Sequence, residues 1–158
     1  MRHWTTLDSP IGPLTLVDDG AGLSGLYFPG RAPALAGEAQ PSAGLQAAAV
    51  QLEEYFAGAR RRFDVDLDLH GNPFKQAVWS ELLRIPYGTT VSYKELAARI
   101  GRPDRVRAVG GAVGATPVPI VVPCHRVVGS DGSLTGYGGG LERKRSLLDL
   151  EGGRLALL

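Results

Sequence analysis

Residues 91–114 read VSYKELAARIGRPDRVRAVGGAVG. Ser92 and Glu95 have capping-box spacing: the hydroxyl serves the backbone N–H three residues on, and the carboxylate reaches back to the N-cap. Leu96 and Ile100 then supply a buried stripe, and RPDR, 102–105, turns the chain. A second short helix follows over VRAVGGAVGAT, 106–116. Two short helices joined by a tight turn predict a helix-turn-helix. The second helix is small on nearly every side, with Ala108, Gly110, Gly111, Ala112, Gly114 and Ala115. Each Gly costs a helix interior about 1 kcal/mol relative to Ala. Either the helix packs closely against a neighbouring element, or its backbone approaches a ligand surface such as a narrow groove of DNA. Arg107 is its one long polar side chain, so ordinary reading of base edges in a major groove is not expected.

Upstream, HGNPF, 70–74, marks a boundary. Asn72 can cap a helix with Pro73 at its first position, and Phe74, Val78, Leu82 and Ile85 line one face until PYGTT breaks it. Before the boundary the chain reads as strands. RHWTTLDS (2–9), GPLTLVDD (12–19) and GLSGLYFPG (22–30) are separated by turn residues. Residues 31–44 read as a loop, and Leu45, Ala48, Ala49, Leu52, Tyr55 and Phe56 repeat at helical spacing. FDVDLDL, 63–69, alternates as a half-buried strand. The expected fold class is α/β of the α+β kind. A scaffold domain over 1–70 would hold a small antiparallel sheet and one helix, and a helical domain over 71–158 would carry the helix-turn-helix.

Charge divides at the same boundary. Residues 1–70 carry five Lys/Arg against nine Asp/Glu, a net of −4, and residues 71–158 carry twelve against seven, a net of +5. A basic half joined to an acidic one fits a polyanionic partner, with solvated surface charge as the plain alternative. No stretch approaches the roughly 20 apolar residues of a membrane span, and the N-terminus lacks an apolar signal core. A cytoplasmic protein is expected, with no membrane partner. His3, His70 and His125, with one cysteine, give no metal-ligand spacing, so no metal is expected.

That cysteine, Cys124, lies in VVPCHRVVGSDG, 121–132. One free thiol fits a reducing compartment. A thiolate is the reactive form, and His125 is adjacent. Neighbours along an extended segment point to opposite sides, so adjacency alone sets no hydrogen bond. A Cys/His pair needs a third group to orient the imidazole, and Asp149 and Glu151 are the candidate carboxylates. An inert buried thiol is the alternative.

The run PVPIVVPCHRVVGSDGSLTGYGGGLERKRSLLDLEG resembles the active-site region of the O6-alkylguanine-DNA alkyltransferases, whose signature is proline-cysteine-histidine-arginine flanked by aliphatics. The resemblance continues through IPYGTTVSYKELAARIG and VRAVGGAVG, covering most of residues 73–152, and more weakly through SPIGPLTL near the N-terminus. It implies a ribonuclease-H-like N-terminal domain and a winged helix-turn-helix carrying the acceptor cysteine. The implied activity is DNA repair by direct reversal: one irreversible transfer of an alkyl group from guanine O6 in duplex DNA to Cys124, after base flipping and without a cofactor.

The resemblance also implies roles. Cys124 is the nucleophile, His125 a base acting through a water, and Glu151 the group holding the imidazole. Arg107 enters the base stack. Tyr93 displaces the target phosphate, and Tyr137 assists the leaving guanine. Val106, Ala108 and Gly110 face the minor groove, and Arg126 joins the DNA contacts. Val127, Gly138, Ser130 and Thr116 surround the flipped base. The implied partner is double-stranded alkylated DNA, bound by a monomer. One departure stands out. The family usually has Asn where this chain has Thr116, and a hydroxyl cannot make the hydrogen bonds of an amide. Two alternatives remain: a sensor that binds alkylated DNA without repairing it, and a cysteine hydrolase on Cys124, His125 and the carboxylate.

Overall fold

The computed structural model describes residues 2–35, 37, 39–40 and 42–152. Residues 153–158 of the expected C-terminal domain, and residue 1, lie outside the described residues. The chain forms two compact units, Met1–His70 and Gly71–Leu158.

In the first unit, strands β1 (His3–Leu7), β2 (Leu14–Asp18) and β3 (Leu23–Tyr27) form an antiparallel sheet in that order. Leu7 pairs with Leu14 and Leu16 with Leu26. Leu14, Leu16, Leu23 and Leu26 are all buried. Helix α1 (Ala43–Phe56) covers them with Leu45, Ala48, Leu52 and Tyr55. Its cap is Ser42, whose side chain accepts from the Leu45 N–H.

The strand expected over 63–69 does not form. Only Leu67 bridges the sheet, to Leu23, through Leu23 N–H to Asp66 O at 2.8 Å and Asp68 N–H to Leu23 O at 3.0 Å. At Asp64 the Gln51 side-chain amide takes the place of a neighbouring strand. It donates to Asp64 O at 3.0 Å and accepts from Asp64 N–H at 2.8 Å. Alternation makes this segment extended, but a side chain satisfies its backbone where a ladder would.

His70, scattered in sequence, is not isolated in space. Its Nε2 lies 2.8 Å from Asp19 Oδ2 and 3.1 Å from Asp68 Oδ2, and one ligand atom from each lies within 4.8 Å of the others. The hydrogen bond to Asp19 raises the imidazole pKa. The same bond holds the Asp19 carboxyl well below the usual carboxylate range.

The second unit holds helices α2 (Pro73–Leu82), α3 (Tyr93–Arg99), α4 (Val106–Gly114) and α5 (Leu141–Gly152). Asn72 caps α2, accepting from Lys75 N–H. The helix stops at Leu82, short of the expected Ile85. Pro86 disfavours helical backbone in the residue before it, so the chain unwinds through a turn that still buries Ile85.

The expected capping box is present on α3, and Ile100 ends the helix. Gly101 follows at φ 74°, a left-handed conformation in which glycine carries no Cβ penalty. Helices α3 and α4 then pack on α2 through Val78, Trp79, Leu82, Leu96, Ala97, Val109 and Val113. Trp79 Nε1 donates to Ala112 O at 2.9 Å, pinning the middle of α4. Short strands β4 (Val91–Ser92) and β5 (Val127–Val128) pair in parallel, which ties the entry of α3 to the segment following the cysteine. Among the described residues no helix is long and apolar enough to cross a membrane.

Candidate active site

Backbone geometry sets the thiol. Ile120, fully buried, has φ 76°, a conformation that a β-branched residue adopts only under tertiary constraint. Pro123 sits at φ −77° and ψ 61°, close to an inverse γ-turn, and Cys124 N–H donates to Val122 O at 2.7 Å across it. Cys124–Arg126 is then a single 3-10 turn, where an extended segment was expected. Cys124 is 5% exposed, within a run that stays buried from Val118 to Val128.

Glu151 is the carboxylate that meets the histidine. From the last turn of α5 its Oε2 lies 2.6 Å from His125 Nε2. Asp149 makes no such contact. A carboxylate only accepts here, so Nε2 carries the proton and the neutral ring presents Nδ1 as an acceptor. Nδ1 is buried and has no hydrogen-bond partner among the described residues. Arg126 donates to the same carboxylate twice, Nε to Oε1 at 2.7 Å and Nη2 to Oε2 at 2.9 Å, and its Nη1 donates to Ile85 O at 2.6 Å.

These contacts sort the charges. Burial would raise the Glu151 carboxyl, but hydrogen bonds from His125 and Arg126, with their charges, overcome it and hold it at about 2. Burial pushes the His125 imidazole down against the pull of Glu151, so the ring rests neutral. Burial also pushes the Cys124 thiol up to about 11, opposed by the Thr116 hydroxyl, the Lys144 charge and the Tyr137 hydroxyl. At neutral pH the resting pair is thiol and neutral imidazole.

Two family models match the chain. The 6-O-methylguanine DNA methyltransferase DNA-binding domain matches residues 73–153, and the ribonuclease-like domain of the same proteins matches residues 2–69. The chain belongs to the 6-O-methylguanine DNA methyltransferase family. A Mycobacterium tuberculosis methylated-DNA–protein-cysteine methyltransferase is 52% identical over 98% of this chain and 94% of its own length. A Methanosarcina barkeri protein of the same name is 44% identical over 94% of this chain and 96% of its own. The crystal structure of Mycobacterium tuberculosis OGT in complex with DNA superposes with a TM-score of 0.88, at 52% identity, over 96% of this chain and 94% of that one. The expected α+β fold class stands.

Of the site residues that the family resemblance implied, one is corrected outright. Arg126 was expected at the DNA. It is 6% exposed, and its guanidinium is engaged by Glu151 and Ile85 inside the fold, so its structural place is beside the Glu151 carboxylate. Arg107 is exposed on α4, with Val106, Ala108 and Gly110 partly exposed on the same helix. Tyr93, at the start of α3, donates its hydroxyl to Thr135 O at 3.1 Å, and its ring packs near Gly110. Val127 is buried in β5. Tyr137 is partly buried and Gly138 exposed in the loop leading to α5. Ser130 is exposed in a turn closed by Gly129 N–H to Ser133 O at 2.8 Å. Thr116 donates to Val113 O at 2.6 Å, closing the end of α4, and its hydroxyl pulls the Cys124 thiol down against the effect of burial.

The glycines of α4 bear on the close-packing reading of that helix. A Cβ on Gly111 or Gly114 would meet no heavy atom of another element within 4 Å, and one on Gly110 would meet only the Tyr93 ring, at an ordinary 3.8 Å. Internal packing does not require their smallness.

Sequence reasoning missed Lys144. It is fully buried, and its Nζ donates to Thr135 O at 2.8 Å. A signal was available: Lys144, Leu147 and Glu151 fall at i, i+3 and i+7, the buried stripe of α5.

Proposed function

We propose that this protein removes an alkyl group from O6 of guanine in duplex DNA and keeps it on Cys124. The observation that carries this reading is the buried Cys124 beside a neutral His125 whose Nε2 is held by Glu151 at 2.6 Å. The Cys124 proton passes to His125 Nδ1 through a water. The sulfur attacks the alkyl carbon, forming a C–S bond as the C–O bond breaks. The bonding pair goes to O6, and the restored guanine takes up the proton of the Tyr137 hydroxyl. The imidazolium proton passes back through water to the Tyr137 oxygen, restoring imidazole and phenol, and the thioether remains. No step requires a cofactor, and a stable thioether limits each molecule to one turnover.

The base must leave the duplex to reach a thiol that is 5% exposed. Extrusion costs a few kcal/mol, which insertion of Arg107 into the stack and close seating of α4 along the minor groove offset. Val106, Ala108 and Gly110 supply that seat, and the unit with a net charge of +5 supplies phosphate attraction. The protein acts as a monomer in a reducing compartment, the cytoplasm.

The test is incubation with duplex DNA containing O6-methylguanine, followed by intact-mass and peptide mass spectrometry. One methyl per chain, on Cys124 and absent from Cys124→Ala, is expected. DNA binding with no adduct would instead identify a sensor.

A further inference from the structure

We propose that Trp79 is a positioning residue for DNA engagement: its indole, wedged against Gly71 and hydrogen-bonded to Ala112 O, sets how α4 lies on α2 and so how Arg107 meets the duplex. This rests on the alkyl-transfer reading above.

Helix α4 has little of its own to hold it. Three of its nine residues are glycine, which costs a helix interior more than any residue but proline. Its N-cap, Arg105, makes no side-chain hydrogen bond, and no acidic residue lies in its first turn to meet the helix dipole. Its buried stripe is Val109, Ala112 and Val113. Two valines and an alanine leave a helix free to roll or slide, because apolar burial has no direction.

Trp79 supplies the direction. It is 1% exposed, and its Nε1 donates to Ala112 O at 2.9 Å. The last turn of α4 tightens and leaves that carbonyl without its usual helical donor. Thr116 N–H goes to Val113 O at 3.3 Å, and Ala115 N–H divides between Gly111 O at 3.1 Å and Ala112 O at 3.2 Å. The indole fills the place that Thr116 N–H has left. The far edge of the ring is fixed as well. A Cβ on Gly71 would lie 2.5 Å from Trp79 Cη2 and 2.7 Å from Cζ3, so residue 71 has room only for hydrogen there. The indole is thus held between the backbone leading into α2 and the end of α4. Val106, Arg107 and Ala108 ride on the same short helix, and a roll about its axis would carry them with it.

The test separates DNA engagement from folding and from thiol chemistry. Trp79→Phe deletes the donor, and Gly71→Ala pushes the ring from its far edge. Both are assayed at a temperature where urea titration shows them folded. In single-turnover transfer, the half-saturating concentration of duplex containing O6-methylguanine is expected to rise about tenfold, with the rate at saturating duplex within about threefold of native. Iodoacetamide forms an S–C bond with Cys124, expels iodide and needs no DNA, so its rate is expected to stay within about twofold of native. A merely structural tryptophan lowers the urea midpoint and leaves the half-saturation of the folded protein native, and that result overturns the proposal. A larger change in the iodoacetamide rate places the effect in the thiol pocket and overturns it too.

Should Trp79→Phe not fold, 3-benzothienyl-alanine is incorporated for tryptophan in a Trp4→Phe chain, keeping the ring shape and placing sulfur where the N–H stands. Half-saturation equal to that of Trp4→Phe itself overturns the proposal, and a tenfold rise supports it. A native chain that is neither bound nor methylated by the duplex would overturn the DNA reading and this proposal with it. Variants that match a methylated native chain overturn this proposal alone.

Discussion

His125 and Glu151, twenty-six residues apart, meet at 2.6 Å with both side chains buried. That contact fixes the imidazole tautomer, and Arg126 closes the other side of the same carboxylate. Removing Glu151 therefore has two separable effects. Glu151→Gln keeps the shape but lets the ring choose its tautomer, and transfer to Cys124 should slow by about 10²-fold or more. Glu151→Ala leaves the Arg126 cation buried and unmatched, a loss of about 3–5 kcal/mol. Single-turnover transfer kinetics and urea unfolding read the two.

Arg126→Met tests the correction made for that residue. It should destabilise the fold, while the salt dependence of DNA binding stays that of the native chain. A log–log slope near −4 is expected if about four phosphates are contacted. A shallower slope in Arg126→Met, measured by fluorescence anisotropy, would return the guanidinium to the DNA.

Acid should unfold the second unit from within. Glu151 falls from 4.5 to about 2 on folding, so its contribution is present above about 4.5 and is lost as pH falls toward 2. The size is on the order of 3 kcal/mol. His125 is also lowered, so protonation of the unfolded chain below 6.5 pulls in the same direction. Stability followed by urea midpoints should decline from about pH 6.5 downward, and Glu151→Gln should flatten the lower part of that decline.

Helix α4 should reveal what its glycines are for. Gly111→Ala adds a Cβ into open space on a helix and should stabilise the fold by about 0.5–1 kcal/mol. Gly110→Leu should leave folding close to native and weaken duplex DNA binding at least tenfold. Thermal melts and anisotropy together give the answer. A Gly110→Leu variant that binds DNA normally would place the duplex elsewhere.

Thr116 gives a smaller effect. Thr116→Val deletes the hydroxyl that opposes burial at the thiol, so Cys124 should ionise less readily and transfer slow several-fold. Thr116→Asn restores the residue usual in the family. A rate above native would mean that the hydroxyl is a weaker substitute for the amide.

The helix-turn-helix was legible because its signals are local. The Ser92–Glu95 box and the RPDR turn work within a few residues, and periodicity carries the rest. What stayed hidden depends on distant partners. The FDVDLDL segment is extended as its alternation suggests, yet Gln51, thirteen residues before Asp64, takes up the backbone groups a neighbouring strand would pair. Arg126 lies in the sequence beside the nucleophile and looks like a DNA contact. Only the arrival of α5 shows its charge to be matched internally. The choice between Asp149 and Glu151 was likewise a matter of which face of α5 points inward, and the buried Lys144 and Leu147 mark that face.

The bare surface of α4 bears on where such a protein can work. A helix whose exposed positions are Gly111 and Gly114, with Arg107 as its long polar side chain, has almost no vocabulary for base edges. Seated on a duplex as proposed, it would register that the duplex is there and that a base leaves it easily, but not which bases flank the lesion. Lesions in all sequence contexts should then be met with nearly equal affinity. Differences in repair between contexts would come from the stacking energy of the DNA itself.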